Sequence, residues 1–154
     1  MTLAVGEKAP GFALASSAGP VSLDSLLGER AVVLFFYPKD DSPGCTAEAC
    51  SFRDQYDAFV EAGAEVVGIS PDSSDSHAHF SAKHALRVKL LSDPGGKVAA
   101  LYGVSKTLGL FPGRATFVID RQGVVRHVYV SQLQFRRHTN EALQAVRKLG
   151  PSAH

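Results

Sequence analysis

Residues 31–70, AVVLFFYPKDDSPGCTAEACSFRDQYDAFVEAGAEVVGIS, decide the fold. Ala31–Tyr37 is an unbroken apolar run rich in β-branched and aromatic residues, and it stops at Pro38. Such a run reads as a strand buried on both faces. After the loop Pro38–Gly44, apolar residues recur at helical spacing (Ala49, Phe52, Tyr56, Phe59, Val60) until Gly63. One helix is expected there. Ala64–Ser70 reads as a second buried strand. Strand, helix and strand in so short a span make a βαβ unit, with parallel strands and a right-handed crossover.

Upstream, a Gly-, Pro- and Ser-rich opening to Pro20 carries one apolar patch, Phe12–Leu14, and Val21–Leu27 reads as a short strand and a helical turn. Downstream, Ser74–Leu86 is expected to be helical, with Ser74, Asp75 or Ser76 as N-cap. Lys89–Leu91 reads as a short strand, Gly96–Tyr102 as a short helix and Gly103–Arg114 as a loop. Ala115–Asp120 and Val124–Val130 flank a short connection ending in Gly123, the pattern of a β-hairpin. The last helix is expected from His138 to Leu149, stopped by Gly150-Pro151. This order fits an α/β fold: a central mixed β-sheet with helices on both faces. It also describes the thioredoxin fold with an insertion.

The chain has 154 residues, so a single domain over 1–154 is expected. Its 14 Gly and 8 Pro stay below the roughly 25–30% of low-complexity chains. Sixteen basic and fifteen acidic side chains leave a net charge of +1, which offers no field for nucleic acid or an anionic membrane. Ala31–Tyr37 is far shorter than the about 20 residues of a spanning helix. No signal-peptide pattern opens the sequence. Two cysteines are too few for a secreted disulfide scaffold. A reducing compartment and reactive thiols are the expectation.

Those thiols are Cys45 and Cys50. Cys45 falls at the start of the expected helix, where free N–H groups and the positive end of the helix dipole favour a thiolate. It lies on the apolar stripe with Ala49, Phe52, Tyr56 and Phe59, so its sulfur should face inward. Cys50 lies on a polar stripe with Thr46, Arg53, Asp54 and Asp57, the wrong side for packing alone. Two unrelated small hydrophobes remain the other reading of the pair. Five helical residues separate the Cα atoms by roughly 8.5 Å, whereas a disulfide needs about 7 Å or less. If the two bond, a turn of helix must unwind, and the first turn frays most easily.

Phe36–Cys50, FYPKDDSPGCTAEAC, resembles the active-site segment of peroxiredoxins, in particular the atypical two-cysteine group called bacterioferritin comigratory protein or peroxiredoxin Q. Pro38, Ser42 and Cys45 match the family pattern of Pro, three residues, Thr or Ser, two residues and Cys. The similarity continues through AGAEVVGISPD, LLSDP, YGV and GRATFVIDRQGVV. Ser42 departs from the commoner Thr and loses its stiffening methyl. The resemblance implies a thioredoxin fold of the peroxiredoxin variant. It implies a thiol peroxidase acting on hydrogen peroxide and small alkyl hydroperoxides, with Cys45 peroxidatic, Cys50 resolving and an intramolecular disulfide reduced by thioredoxin or a related dithiol. By the same analogy Ser42 and backbone N–H groups near Cys45 hold the peroxide, Arg114 steadies the thiolate, and Pro38 shields the pocket. Position alone would make Arg114 a solvated loop residue. Glu48 reads equally as an anchor for the loop or a solvated helix residue.

No cofactor is implied, and no metal. His77, His79 and His84 fall on one helix, but the first two diverge by about 200° and His77 and His84 stand about 10 Å apart along the axis. One ion cannot take both at about 2 Å. Gly103–Arg114 has no phosphate-loop lysine pattern and precedes a strand. The resemblance implies a monomer or at most a weak dimer; a cytoplasmic setting is expected, with a processed plastid form as the alternative. The rival function is a thioredoxin-fold redox sensor or thiol–disulfide exchange protein. The C-x-x-C of a thioredoxin-type oxidoreductase is missing.

Overall fold

The computed structural model describes residues 2–104, 114–130 and 134–149. In chain order its elements are β1 (Ala13–Ser16), β2 (Val21–Ser22), α1 (Leu23–Leu26), β3 (Ala31–Phe36), α2 (Pro43–Asp54), α3 (Tyr56–Glu61), β4 (Ala64–Ser70), α4 (Ser74–His84), β5 (Lys89–Ser92), α5 (Lys97–Leu101), β6 (Ala115–Ile119), β7 (Val125–Val130) and α6 (Phe135–Lys148). Among the described residues the strands form one mixed sheet in the order β2-β1-β5-β4-β3-β6-β7.

The βαβ unit forms as its sequence dictates. β3 and β4 run parallel, in register from Ala31↔Ala64 to Phe36↔Ile69, and every residue of both is buried. Alternate β3 side chains serve two cores. Ala31, Val33 and Phe35 face a cluster closed by Phe52 and Phe59 from α2 and α3, Phe80 from α4, and Ala142 and Val146 from α6. Val32, Leu34 and Phe36 face a second cluster with Leu23, Leu26, Val98, Ala99 and Tyr102. Helices therefore cover both faces. At Gly68 a β-carbon would stand 2.6 Å from Phe35 Cζ, so the packing requires glycine there. β6 pairs antiparallel with β3, placing Ala115 opposite Phe36, and forms the expected hairpin with β7.

Several boundaries differ from the sequence pattern. The helix expected up to Gly63 breaks at Gln55, with φ −101° and ψ 6°. Beyond the break the Tyr56 hydroxyl donates to Glu65 Oε1 at 3.1 Å and the Arg87 guanidinium lies 4.8 Å from the Tyr56 ring. These tertiary contacts override the continuous periodicity, and Val60 ends up 41% exposed rather than in the core. β1 forms in the Gly-, Pro- and Ser-rich opening, where it pairs with β5 through Ala15↔Ser92 and Ser16↔Leu91. The N-cap of α4 is Ser73, whose hydroxyl accepts from the Ser76 N–H at 3.1 Å. α6 begins at Phe135, ahead of the expected His138. Most of the expected Gly103–Arg114 loop, at 105–113, lies outside the described residues, as does the Gly150-Pro151 stop.

Candidate active site

The site forms where the C-terminal ends of β3 and β4 meet the start of β6. Phe36 closes β3, Tyr37 follows it in the core, and Pro38 is half-buried where the chain leaves the sheet. Pro38 cannot prolong the ladder because it has no N–H. Asp41 turns the chain with φ 63°, a left-handed conformation that aspartate tolerates. Ser42 is the N-cap residue of α2 and Pro43 opens its first turn, a position where proline fits. The Thr46 N–H donates to Ser42 O at 2.9 Å. The N–H groups of Gly44 and Cys45 thus precede the helical ladder, at the positive end of the dipole. The Ser42 hydroxyl makes no cap and donates instead to Lys39 O at 3.0 Å. That leaves its oxygen lone pairs to accept from another molecule.

Cys45 is 1% exposed and packs with Phe35, Tyr37, Ala49 and Phe52, facing inward as its stripe implied. Arg114 reaches it because β6 pairs beside β3. Its Nη2 donates to Cys45 Sγ at 3.3 Å and its Nη1 donates to Glu48 Oε1 at 2.8 Å. Arg114 is 4% exposed and Glu48 fully buried, so neither is the solvated residue that position alone allowed. Burial pushes the Glu48 carboxyl up to about 7, against the pull of Arg114. Burial opposes the charge on Arg114, but Glu48 and Cys45 outweigh it and hold the guanidinium above its ordinary value.

His138, outside the residues that the sequence pattern singles out, joins the site. It is buried on α6, its Nδ1 2.7 Å from Thr116 Oγ1 and 3.5 Å from Glu48 Oε2. The available signal was its place on the apolar stripe with Ala142 and Val146. Of the three histidines weighed as metal ligands, His77 is buried against Asp40 and Leu91 O while His79 is exposed.

Cys50 sits on the opposite side of α2 from Cys45. It is half-buried beside an open groove of about 860 Å³ between α2 and α6, rimmed by Arg136, Arg137 and Asn140. Both thiols are free. Both belong to the same helix, so a bond between them requires its first turns to open.

A buried cysteine at a helix start, held by an arginine that is itself held by a buried carboxylate, is a site for nucleophilic sulfur chemistry. The AhpC/TSA family model matches residues 5–128. The chain is a peroxiredoxin of the AhpC/TSA family. It is 49% identical over 146 residues to the chloroplastic peroxiredoxin Q of Sedum lineare, across 94% of this chain and 78% of that one. Among solved structures it is similar to the peroxidoxin BcpB of Mycobacterium tuberculosis, with TM-score 0.88 and 40% identity over 96% of this chain and 98% of that one. The Xanthomonas campestris bacterioferritin comigratory protein, studied for alkyl peroxide reduction, matches with TM-score 0.81 and 30% identity over 90% and 91% of the two chains. Membership makes this chain a thiol peroxidase with a thioredoxin-type fold.

Proposed function

We propose that Cys45 is the peroxidatic thiol of this peroxidase and Cys50 its resolving thiol. The observation that carries the assignment is the 3.3 Å bond from Arg114 Nη2 to Cys45 Sγ. The Cys45 thiolate attacks the nearer peroxide oxygen and the O–O bond breaks. The sulfur is oxidised to a sulfenic acid, and the departing hydroxide takes up a proton to become water. An ordinary cysteine is only about 3% thiolate at pH 7, so full ionisation gains at most roughly 30-fold. The remaining acceleration comes from holding the peroxide and from stabilising charge on the departing oxygen. Ser42 Oγ accepts from the peroxide O–H, the Gly44 and Cys45 N–H groups face its oxygens, and Pro38 screens the pocket. Arg114, fixed by Glu48, keeps a planar fork of donors on the reacting centre.

The Cys50 thiolate then attacks the sulfenic sulfur after the first turns of α2 open. The S–O bond breaks, water leaves after protonation, and a Cys45–Cys50 disulfide forms. A dithiol of the thioredoxin class reduces it by exchange, supplying two electrons and two protons. Hydrogen peroxide and small alkyl hydroperoxides are the proposed substrates. The alkyl peroxide reduction studied in the Xanthomonas relative supports the second class. A disulfide within one chain needs no partner subunit, which supports a monomer. The chloroplastic relatives support the plastid alternative over a cytoplasmic setting.

The test is hydrogen peroxide turnover coupled to thioredoxin, thioredoxin reductase and NADPH. Turnover should vanish in Cys45→Ser and stop after one cycle in Cys50→Ser. Wild-type oxidation that never cycles with any dithiol would favour the redox-sensor reading.

A further inference from the structure

The loop that carries Ser42 is tied down by a buried polar cluster outside the steps just described. Asp40 and His77 are both buried, at 4% and 1% exposure. Asp40 Oδ1 accepts from the Tyr37 hydroxyl at 2.6 Å. Its Oδ2 accepts from the Ser76 hydroxyl at 2.7 Å and stands 2.7 Å from His77 Nδ1. The Asp40 N–H donates to Asp72 Oδ2 at 2.7 Å, and the same oxygen accepts from the Ser70 hydroxyl at 2.8 Å. On the other side of the ring, His77 Nε2 is 2.9 Å from Leu91 O.

The hydrogen-bond geometry points to what the ring carries. A carbonyl has no proton to give, so Nε2 bears one and donates it to Leu91 O. Burial pushes Asp40 up, but hydrogen bonds from His77, Tyr37 and Ser76 outweigh it and hold the carboxyl below its ordinary value. Asp40 already accepts from the Tyr37 and Ser76 hydroxyls, one on each oxygen, and an acceptor-only carboxylate 2.7 Å from Nδ1 pairs with a proton on that nitrogen. Protonated on both nitrogens, the ring would link a carboxylate to a carbonyl, and such charge-assisted bonds are the strong ones.

Through that ring the β3–α2 loop, α4 and β5 are joined. Ser42 follows the pinned Asp40 by two residues, with left-handed Asp41 between them. We propose that His77 is a positioning residue of the peroxidase: its imidazolium clamps Asp40 and thereby sets where Ser42 meets the peroxide. The clamp deepens, and rests on, the role of Cys45 and Ser42 given above. It also gives the opening of α2 a fixed post: the loop stays on α4 while the helix turn beyond Ser42 unwinds.

The test pairs a spectrum with a rate ratio. In the reduced protein at neutral pH, ring nitrogen NMR should show two N–H groups on His77. A neutral ring overturns the proposal. Each variant is then compared by two reactions of Cys45, oxidation by hydrogen peroxide and alkylation by iodoacetamide. Only the first needs Ser42. In His77→Gln the amide cannot serve both acceptors, and peroxide oxidation should fall roughly 10- to 100-fold while alkylation holds within about twofold. Asp40→Asn lets a neutral ring make the same bridge by weaker bonds. It should show a single N–H on His77 and a rate ratio between wild type and His77→Gln, and it decides the matter should His77→Gln not fold. Ratios unchanged in the folded variants, or a second N–H surviving in Asp40→Asn, would overturn the clamp. Slow peroxide oxidation in the wild type itself would instead sink the reading of Cys45.

Discussion

Glu48→Gln should change how stability responds to pH, and the size follows from the site. Burial raises the Glu48 carboxyl from its ordinary 4.5 to about 7 in the folded protein. Between those values the unfolded chain has released this proton and the folded chain still holds it. Each pH unit of that window favours unfolding by about 1.36 kcal/mol, so the stability this group contributes at acid pH is lost by pH 8, in all about 3 kcal/mol. Glutamine has the shape of the protonated acid and keeps an oxygen for Arg114 Nη1. The variant should therefore track the wild type near pH 4 and exceed it by about 3 kcal/mol near pH 8. The chain has no tryptophan, so urea unfolding followed by far-ultraviolet circular dichroism, with both cysteines reduced, is the assay. Parallel pH profiles for the two proteins would refute the reasoning: Glu48 would then be as ionised in the fold as out of it.

Arg114→Lys keeps the charge but loses the fork that spans Glu48 and Cys45. Peroxide oxidation of Cys45, measured by competition with a reference peroxidase, should fall roughly 100-fold with the fold intact. Gly68→Ala puts a methyl within 2.6 Å of the Phe35 ring and 2.9 Å of Leu90; denaturant unfolding should register a loss of about 1–3 kcal/mol. In the disulfide form, amides at the start of α2 should exchange with solvent faster than in the reduced form, because the bond cannot span intact helix. Equal exchange in the two forms would contradict the unwinding step.

Much of this molecule is legible from its residues because the deciding interactions are local or periodic. β3 and β4 announce themselves as apolar runs, since burial on both faces leaves no polar alternation. The Cys45 stripe identifies the inward face of α2, and Cys50 stands out by being on the other one. What the sequence left open depends on pairing distant in the chain. Nothing around Arg114 signals burial; it is buried because Ala115 pairs with Phe36, which brings the guanidinium beside Cys45. Glu48 stands three residues after Cys45 and shares its side of the helix, yet its partner lies 66 residues away. The break at Gln55 comes from Tyr56 meeting Glu65 and Arg87. His77 and His138 carried a usable signal, each on an apolar helical stripe, but their polar partners come from other elements.

The central claim is tested most directly by adding one equivalent of hydrogen peroxide to the reduced protein and mapping the product by mass spectrometry. The account predicts the loss of two hydrogens from a single chain and one proteolytic fragment in which Cys45 and Cys50 are joined. A product oxidised at Cys50 with Cys45 still a free thiol, or one linked only between chains, would contradict it.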